Sequence, residues 1–193
     1  MKILKAMTAS LMLAALPLAA HAEDMSYSFV DLGYVETEID GVGPKADGFA
    51  LRGSIGFAEH YFAFADYVDQ SISISGVGVD VEQYSVGLGG HYGLSDNLDL
   101  VGRAGWVKAE GSGGGFSVSD DGYLVSAGLR GRIGENVELE GSVIHTDFGG
   151  SSSGDTAVAV GGRYHFNKNF AVGAEYQTGD DSSTILAGVR FSF

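Results

Sequence analysis

Ile185-Leu186-Ala187-Gly188-Val189-Arg190-Phe191-Ser192-Phe193 ends the chain, and every second residue of it, from Ile185 through Ala187, Val189 and Phe191 to Phe193, is apolar. The intervening residues, Leu186, Gly188, Arg190 and Ser192, are mostly small or polar, so a strand built here offers one face to an apolar medium and the other to a polar one. A period of two sustained over a terminal segment predicts a half-apolar β-strand. The same phase can be followed back through the chain.

Ten segments alternate in this way, near residues 25–37, 47–57, 60–74, 81–94, 97–110, 120–133, 136–148, 155–166, 169–179 and 182–193. Each is long enough for the ~9–11 residues that a tilted strand needs to cross a bilayer. The links after the second, fourth, sixth and eighth segments are tight, centred on Ala58-Glu59, Ser95-Asp96, Gly134-Glu135 and Asn167-Lys168. The other links are longer on average and rich in Gly, Ser and Asp, as at residues 111–115 and 149–155. Short turns on one side and long loops on the other predict an all-β fold, a closed antiparallel up-and-down transmembrane β-barrel with its short turns periplasmic. The strand count is ten, or eight if two segments are loop hairpins.

Carried through all ten segments, the phase sorts the side chains into two faces. Tyr34, Phe49, Tyr67, Tyr84, Trp106, Tyr123 and Tyr176 point outward near the long loops, and Phe57, Tyr61, Tyr92, Tyr164, Phe166, Phe170, Phe191 and Phe193 near the short turns. Two aromatic belts are what the two interfaces of a membrane select, and a soluble β-sandwich does not explain them. The inward face takes all six arginines, Arg52, Arg103, Arg130, Arg132, Arg163 and Arg190, together with Asp31, Asp66, Asp99, Glu138, Glu140 and Glu175. Folding hairpins about the short turns sets Arg52 beside Asp66, Arg132 beside Glu138 and Arg130 beside Glu140, so this lumen network compensates itself, as buried ions require. Inward small residues, among them Gly33, Gly87, Gly89, Gly105, Gly161 and Gly173, leave space for water or for those charged side chains, and a filled lumen is expected.

Residues 1–22 read as a signal peptide, with Lys2 and Lys5 ahead of an apolar stretch and Ala20-His21-Ala22 as the cleavage site, which leaves residues 23–193 as the barrel. Loss of the two lysines takes the formal charge from -14 to -16, and such acidity argues against nucleic acid as a partner. A chain without cysteine has no disulfide, thiolate nucleophile or thiolate metal site. No Asp cluster has the spacing of a calcium loop, and no G-x-S-x-G, Walker or H-E-x-x-H sequence occurs. Neither a cofactor nor a metal nor a catalytic residue is expected.

The chain resembles the small Gram-negative outer-membrane β-barrel family within the OmpA-like group. More narrowly it is similar to barrels described as activators of plant immunity or quorum-sensing factors. The resemblance covers residues 23–193 and rests on Met25-Ser26-Tyr27, Asp31-Leu32-Gly33-Tyr34-Val35, residues 47–54 (DGFALRGS), Asp66-Tyr67, residues 81–89 (VEQYSVGLG) and Asp121-Gly122-Tyr123. It implies residence in the outer membrane and little about chemistry.

Three functions are weighed. The first is a structural or narrow passive-channel barrel, monomeric, surrounded by outer-membrane lipid and lipopolysaccharide. The second is a surface-binding barrel whose acidic loops engage divalent cations, lipopolysaccharide or cationic partners. Its rim carries Glu36, Glu38, Asp40, Asp47, Asp69, Asp80, Glu82, Glu110, Asp120, Asp121, Asp147, Asp155, Asp180 and Asp181 against only Lys45 and Lys108. The third, a lipid-A or peptide hydrolase, would use His145 and Asp147 on one face, but no Ser stands two residues from His145 and the set is incomplete. No enzyme activity is assigned. Val189, Phe191 and Phe193 are expected to form the signal recognised by the barrel-assembly machinery. Deleting Phe193 should impair assembly while leaving export intact, and normal heat-modifiable migration of that variant on gels would contradict this.

Overall fold

A computed structural model describes residues 26–41, 43–74, 76–149 and 154–193. The expected signal peptide at residues 1–22, the first residue of the first predicted strand and positions 150–153 lie outside the described residues. Ten strands follow in order: β1 (Phe29–Ile39), β2 (Ala46–Ala58), β3 (Tyr61–Ile74), β4 (Val77–Ser95), β5 (Leu98–Gly113), β6 (Phe116–Ile133), β7 (Val137–Phe148), β8 (Asp155–His165), β9 (Phe170–Thr178) and β10 (Ser182–Ser192). Each pairs antiparallel with its sequence neighbours, and β1 closes on β10 from Phe29↔Ser192 to Ile39↔Ser182, giving a closed up-and-down barrel. Closure meets the demand of a bilayer, because an open edge would leave backbone N–H and C=O groups without partners in hydrocarbon.

The register preserves the alternation read from the sequence. Tyr34, Phe49, Trp106, Tyr123 and Tyr176 are exposed at one rim, Phe57, Tyr61, Tyr92, Phe166, Phe170 and Phe193 at the other, and Leu51, Leu88, Val125, Val158 and Val189 between them. Tyr67 is only half-buried, held between the rings of Phe49 and Tyr84.

The two ends differ, though not in the way the loop-rich sequence suggests. Residues 111–113, expected as loop, are strand, because Gly114 and Gly115 have φ of 59° and 84° and join β5 to β6 directly. Two successive positive φ values make the two-residue turn whose twist matches its flanking strands, so pairing continues to Gly113↔Phe116. Similarly, Gly76 with φ 82° allows β4 to begin at Val77. As a result β4, β5 and β6 have 19, 16 and 18 residues against 9 in β9, and the β3–β6 sector stands above the rest of that rim.

Inside the barrel three layers are stacked. Towards the long-loop end Val35, Ile39, Ala46, Val68, Ile72, Val81 and Leu186 cluster, with Thr37 hydrogen-bonded to Gln70 and Thr184 among them. Charged side chains occupy the middle. Towards the short turns Tyr27 stacks on Phe62 at 4.9 Å and on His91 at 3.9 Å, and Phe64 continues that layer towards the charges.

Inward glycines explain how rings fit so narrow a bore. Phe62 faces Gly89 across β3 and β4, where an added Cβ would lie 2.0 Å from its ring. Gly87 and Gly105 leave similar room for Phe64, at 2.7 and 3.0 Å. The space is therefore taken by aromatic rings, which the reading of charges alone did not anticipate. Gly89→Ala should lose about 1–3 kcal/mol through overpacking, seen as a lower urea midpoint of the refolded barrel, with most of it recovered on adding Phe62→Leu. An unchanged midpoint in the single variant would exclude this packing.

Candidate functional site

The middle layer is built from alternation. Glu138 and Glu140 are two residues apart on β7 and so share its inner face, opposite Arg132 and Arg130 of β6, while Arg163 of β8 faces Glu138 on the other side. Arg163 Nη1 donates to Glu138 Oε1 at 2.9 Å and to Glu140 Oε2 at 2.6 Å, and its Nη2 donates to Glu140 Oε1 at 3.0 Å. This two-pronged grip on Glu140 is the strong form of a guanidinium–carboxylate contact. Glu138 also pairs with Arg130 Nη2, meets His165 Nε2 at 3.0 Å and lies 4.0 Å from Arg190 Nη1. It has 0% of its surface exposed.

Three more pairs surround this cluster. Arg190 donates through Nε and Nη2 to the two oxygens of Asp31 at 2.7 and 2.6 Å, with its guanidinium carbon 3.6 Å above the centre of the Phe29 ring. Arg52 donates through Nη1 and Nη2 to Glu175, at 3.4 Å each, reaching from β2 to β9 past β1 and β10. Arg103 donates to Asp66 Oδ2 at 2.8 Å and stacks 3.6 Å from the centre of the Phe64 ring. Ser85 Oγ donates to the same oxygen of Asp66 at 3.1 Å.

These contacts differ from the expected hairpin pairings at two places, Arg52 and Arg130. Arg52 stands opposite Asp66 in the register, yet its guanidinium goes to Glu175 and Asp66 takes Arg103 from β5. An inward side chain projects towards the barrel axis, so a long guanidinium crosses the bore while a short Asp carboxylate stays near its own wall. Arg130 and Arg132 do stand opposite Glu140 and Glu138, yet Arg130 Nη2 pairs with Glu138, and only its Nε comes within 3.9 Å of Glu140.

Exposure decides what the layer can do. Arg52 and Arg130 are each 1% exposed and Arg190 2%. A cavity of about 20 Å³, room for one water molecule, lies beside Arg52, Arg163, Glu175 and Gly173. Small inward residues thus border a packed polar plug and not a wide channel.

Several participants escaped the sequence reading. His165 and His91 are buried inside the bore, the first on Glu138 and the second under Tyr27. Tyr27 donates from its hydroxyl to Asp99 Oδ2 at 3.4 Å, closing the short-turn end of the lumen. The signal that pointed to the rings was the inner phase of Phe62 and Phe64 opposite glycines. On the outer surface His145 Nδ1 lies 3.0 Å from Thr156 Oγ1, and Asp147 accepts from Tyr123. His145 and Asp147 are therefore each engaged with other neighbours.

No family model matches the sequence, and no curated protein does. Solved structures do resemble the fold. The NanC porin matches with a TM-score of 0.53 at 12% identity, over 84% of this chain and 100% of that one. The translocator domain of the autotransporter NalP from Neisseria meningitidis matches with a TM-score of 0.52 at 9% identity, over 89% and 91% of the two chains. The Yersinia pestis outer membrane protein Ail gives 0.44 at 17% identity, over 86% and 98%. At such identities the likeness is one of barrel architecture.

Removing one partner of a buried ion cluster leaves uncompensated charge, at a cost of about 3–5 kcal/mol. Glu138→Ala should accordingly lower the urea midpoint by far more than Glu36→Ala at the exposed rim. Equal midpoints for the two variants would show that the lumen does not depend on Glu138.

Proposed function

We propose that this chain is an integral outer-membrane barrel with a closed lumen, a structural wall that carries its exposed rim and not a passive channel. The observation that carries this reading is the exclusion of solvent from Arg52, Arg130, Glu138 and Arg190 across one section of the bore. Water-filled porins are wider, at ~16 strands, whereas small barrels are filled by their own side chains. Two aromatic belts and the apolar band between them support residence in a membrane, and the likeness to outer-membrane barrels supports which one. The barrel works as a monomer, surrounded by lipid and lipopolysaccharide, and Val189, Phe191 and Phe193 serve its assembly. No catalytic role is assigned to it.

A second reading is favoured by the long-loop rim. Glu36 faces Asp47, Asp69 faces Glu82 and Glu82 faces Glu110, all on the outer surface. Lys45 offsets Glu36 and Lys108 offsets Glu110, but like charges directly opposite each other oppose pairing, so the carboxylates left between them are costly to the wall unless further cations offset them. Acidic loops that engage divalent cations, lipopolysaccharide or cationic partners fit that cost.

Planar-bilayer recording separates a wall from a channel. Purified barrel should show no steady conductance above that of the bare membrane, and a reproducible conductance step would sink the closed-lumen reading.

A further inference from the structure

The protruding β3–β6 sector has an inner face unlike its outer one. On the inner face Val79, Gly113 and Phe116 stand in one cross-strand row, and Val81, Gly111 and Val118 in the next. Gly113, half-buried, forms the floor between Val79 on β4 and Phe116 on β6, and Gly111 in the row below is already buried. At its lower end this trough is closed, because Val81 is 1% exposed within the packed cluster that caps the lumen. Its upper end is open, with Val77 47% and Phe116 79% exposed, and on the β6 side the opening reaches down to Val118, 51% exposed, in the lower row. On the outer face the same strands carry Asp80, Glu82, Glu110, Ser112, Ser117 and Asp121.

An apolar trough above an acidic mouth is unusual on an exposed rim, where isolated apolar residues are common but a built groove marks a contact surface. Residues 150–153, which join β7 to β8 at the same rim, are Gly-Ser-Ser-Ser and have no apolar side chain to offer it. Across the mouth the ring order sets β9 and β10 opposite β4 and β5, and their turn presents Asp180 and Asp181. Asp155 at the start of β8 and Asp120, two residues from Val118, complete the acidic surround. A second copy of this chain, at formal charge -14, would bring like charge to that surround. Charge complementarity selects a cationic partner.

We propose that this groove docks a cationic amphipathic peptide, with its apolar side chains between Val79 and Phe116 and its cationic ones towards Asp120, Asp155, Asp180 and Asp181. The proposal rests on the acidic-rim reading above and adds an apolar contact to it.

The full barrel in phosphatidylcholine nanodiscs is titrated by calorimetry with two ten-residue peptides, Lys-Leu repeated and Lys-Ser repeated, and the heat of empty discs is subtracted. Burial of even one or two leucines in the trough should make Lys-Leu bind about tenfold tighter than Lys-Ser. Phe116→Ser with Val118→Ser should abolish that margin, and Asp180→Asn with Asp181→Asn should weaken both peptides at low salt. Heat-modifiable migration verifies the fold of each variant, and Val118→Thr alone, which preserves strand character, should lose part of the margin. Equal affinity of the two peptides overturns the groove and leaves the acidic rim standing, whereas binding of neither overturns both. A margin unchanged by the serine variants also overturns the groove. So does a wild-type dimer in sedimentation that those variants dissolve, since the occupant is then a second copy.

Discussion

Glu138 is a fully buried carboxylate held at once by Arg130 from β6, Arg163 and His165 from β8, and approached by Arg190 from β10. A carboxylate taken out of water alone would be expelled or neutralised, and each guanidinium around it would be in the same position. Together they are tolerated, because every member compensates another. Their net stabilisation is small beside the penalty for breaking the set. What the set adds is a penalty on register error: a one-residue slip of β7 would turn Glu138 and Glu140 to the lipid face and leave Arg130, Arg163 and Arg190 without them. The hydrogen-bond ladder closes the barrel, and this cluster joins the apolar alternation in penalising a closure shifted by one residue.

Above and below the cluster, fit replaces charge. Phe62 and Phe64 are admitted only where Gly89, Gly87 and Gly105 stand opposite, and Tyr27, arriving from ahead of β1, seals the short-turn end against Phe62 and His91. At the other end Val35, Ile39, Ile72 and Val81 seal the bore with apolar contacts. The lumen is thus packed at three levels below the long-loop rim. There the paired glycines at 114 and 115 have converted what looked like loop into strand, and with it an acidic convex surface backed by an apolar concave one.

Much of the fold was legible because a membrane barrel imposes two simple rules on every strand, a period of two and a fixed order of belts. All ten segments, the outward position of Trp106 and Tyr123, and the inward position of the arginines follow from those rules. The lumen was legible as a set of charges but not as a set of pairs. Register names the neighbour of Arg52 on the wall, Asp66, yet side-chain reach across the bore gives it Glu175. His91, next to outward Tyr92, and His165, between outward Tyr164 and Phe166, fall on the inner face by the same phase, but the phase does not name their partners, Tyr27 and Glu138.

The sequence by itself determined the wall: alternation sets which side chains meet lipid, and the C-terminal run ending in Phe193 sets the phase of the closing strand. Only the tertiary structure decided whether the inside is open. That answer depends on distances across the bore, between strands remote in the chain, where Arg52 meets Glu175 and Arg190 nears Glu138. No local pattern encodes such distances, because they follow from the diameter and twist of the whole closed sheet.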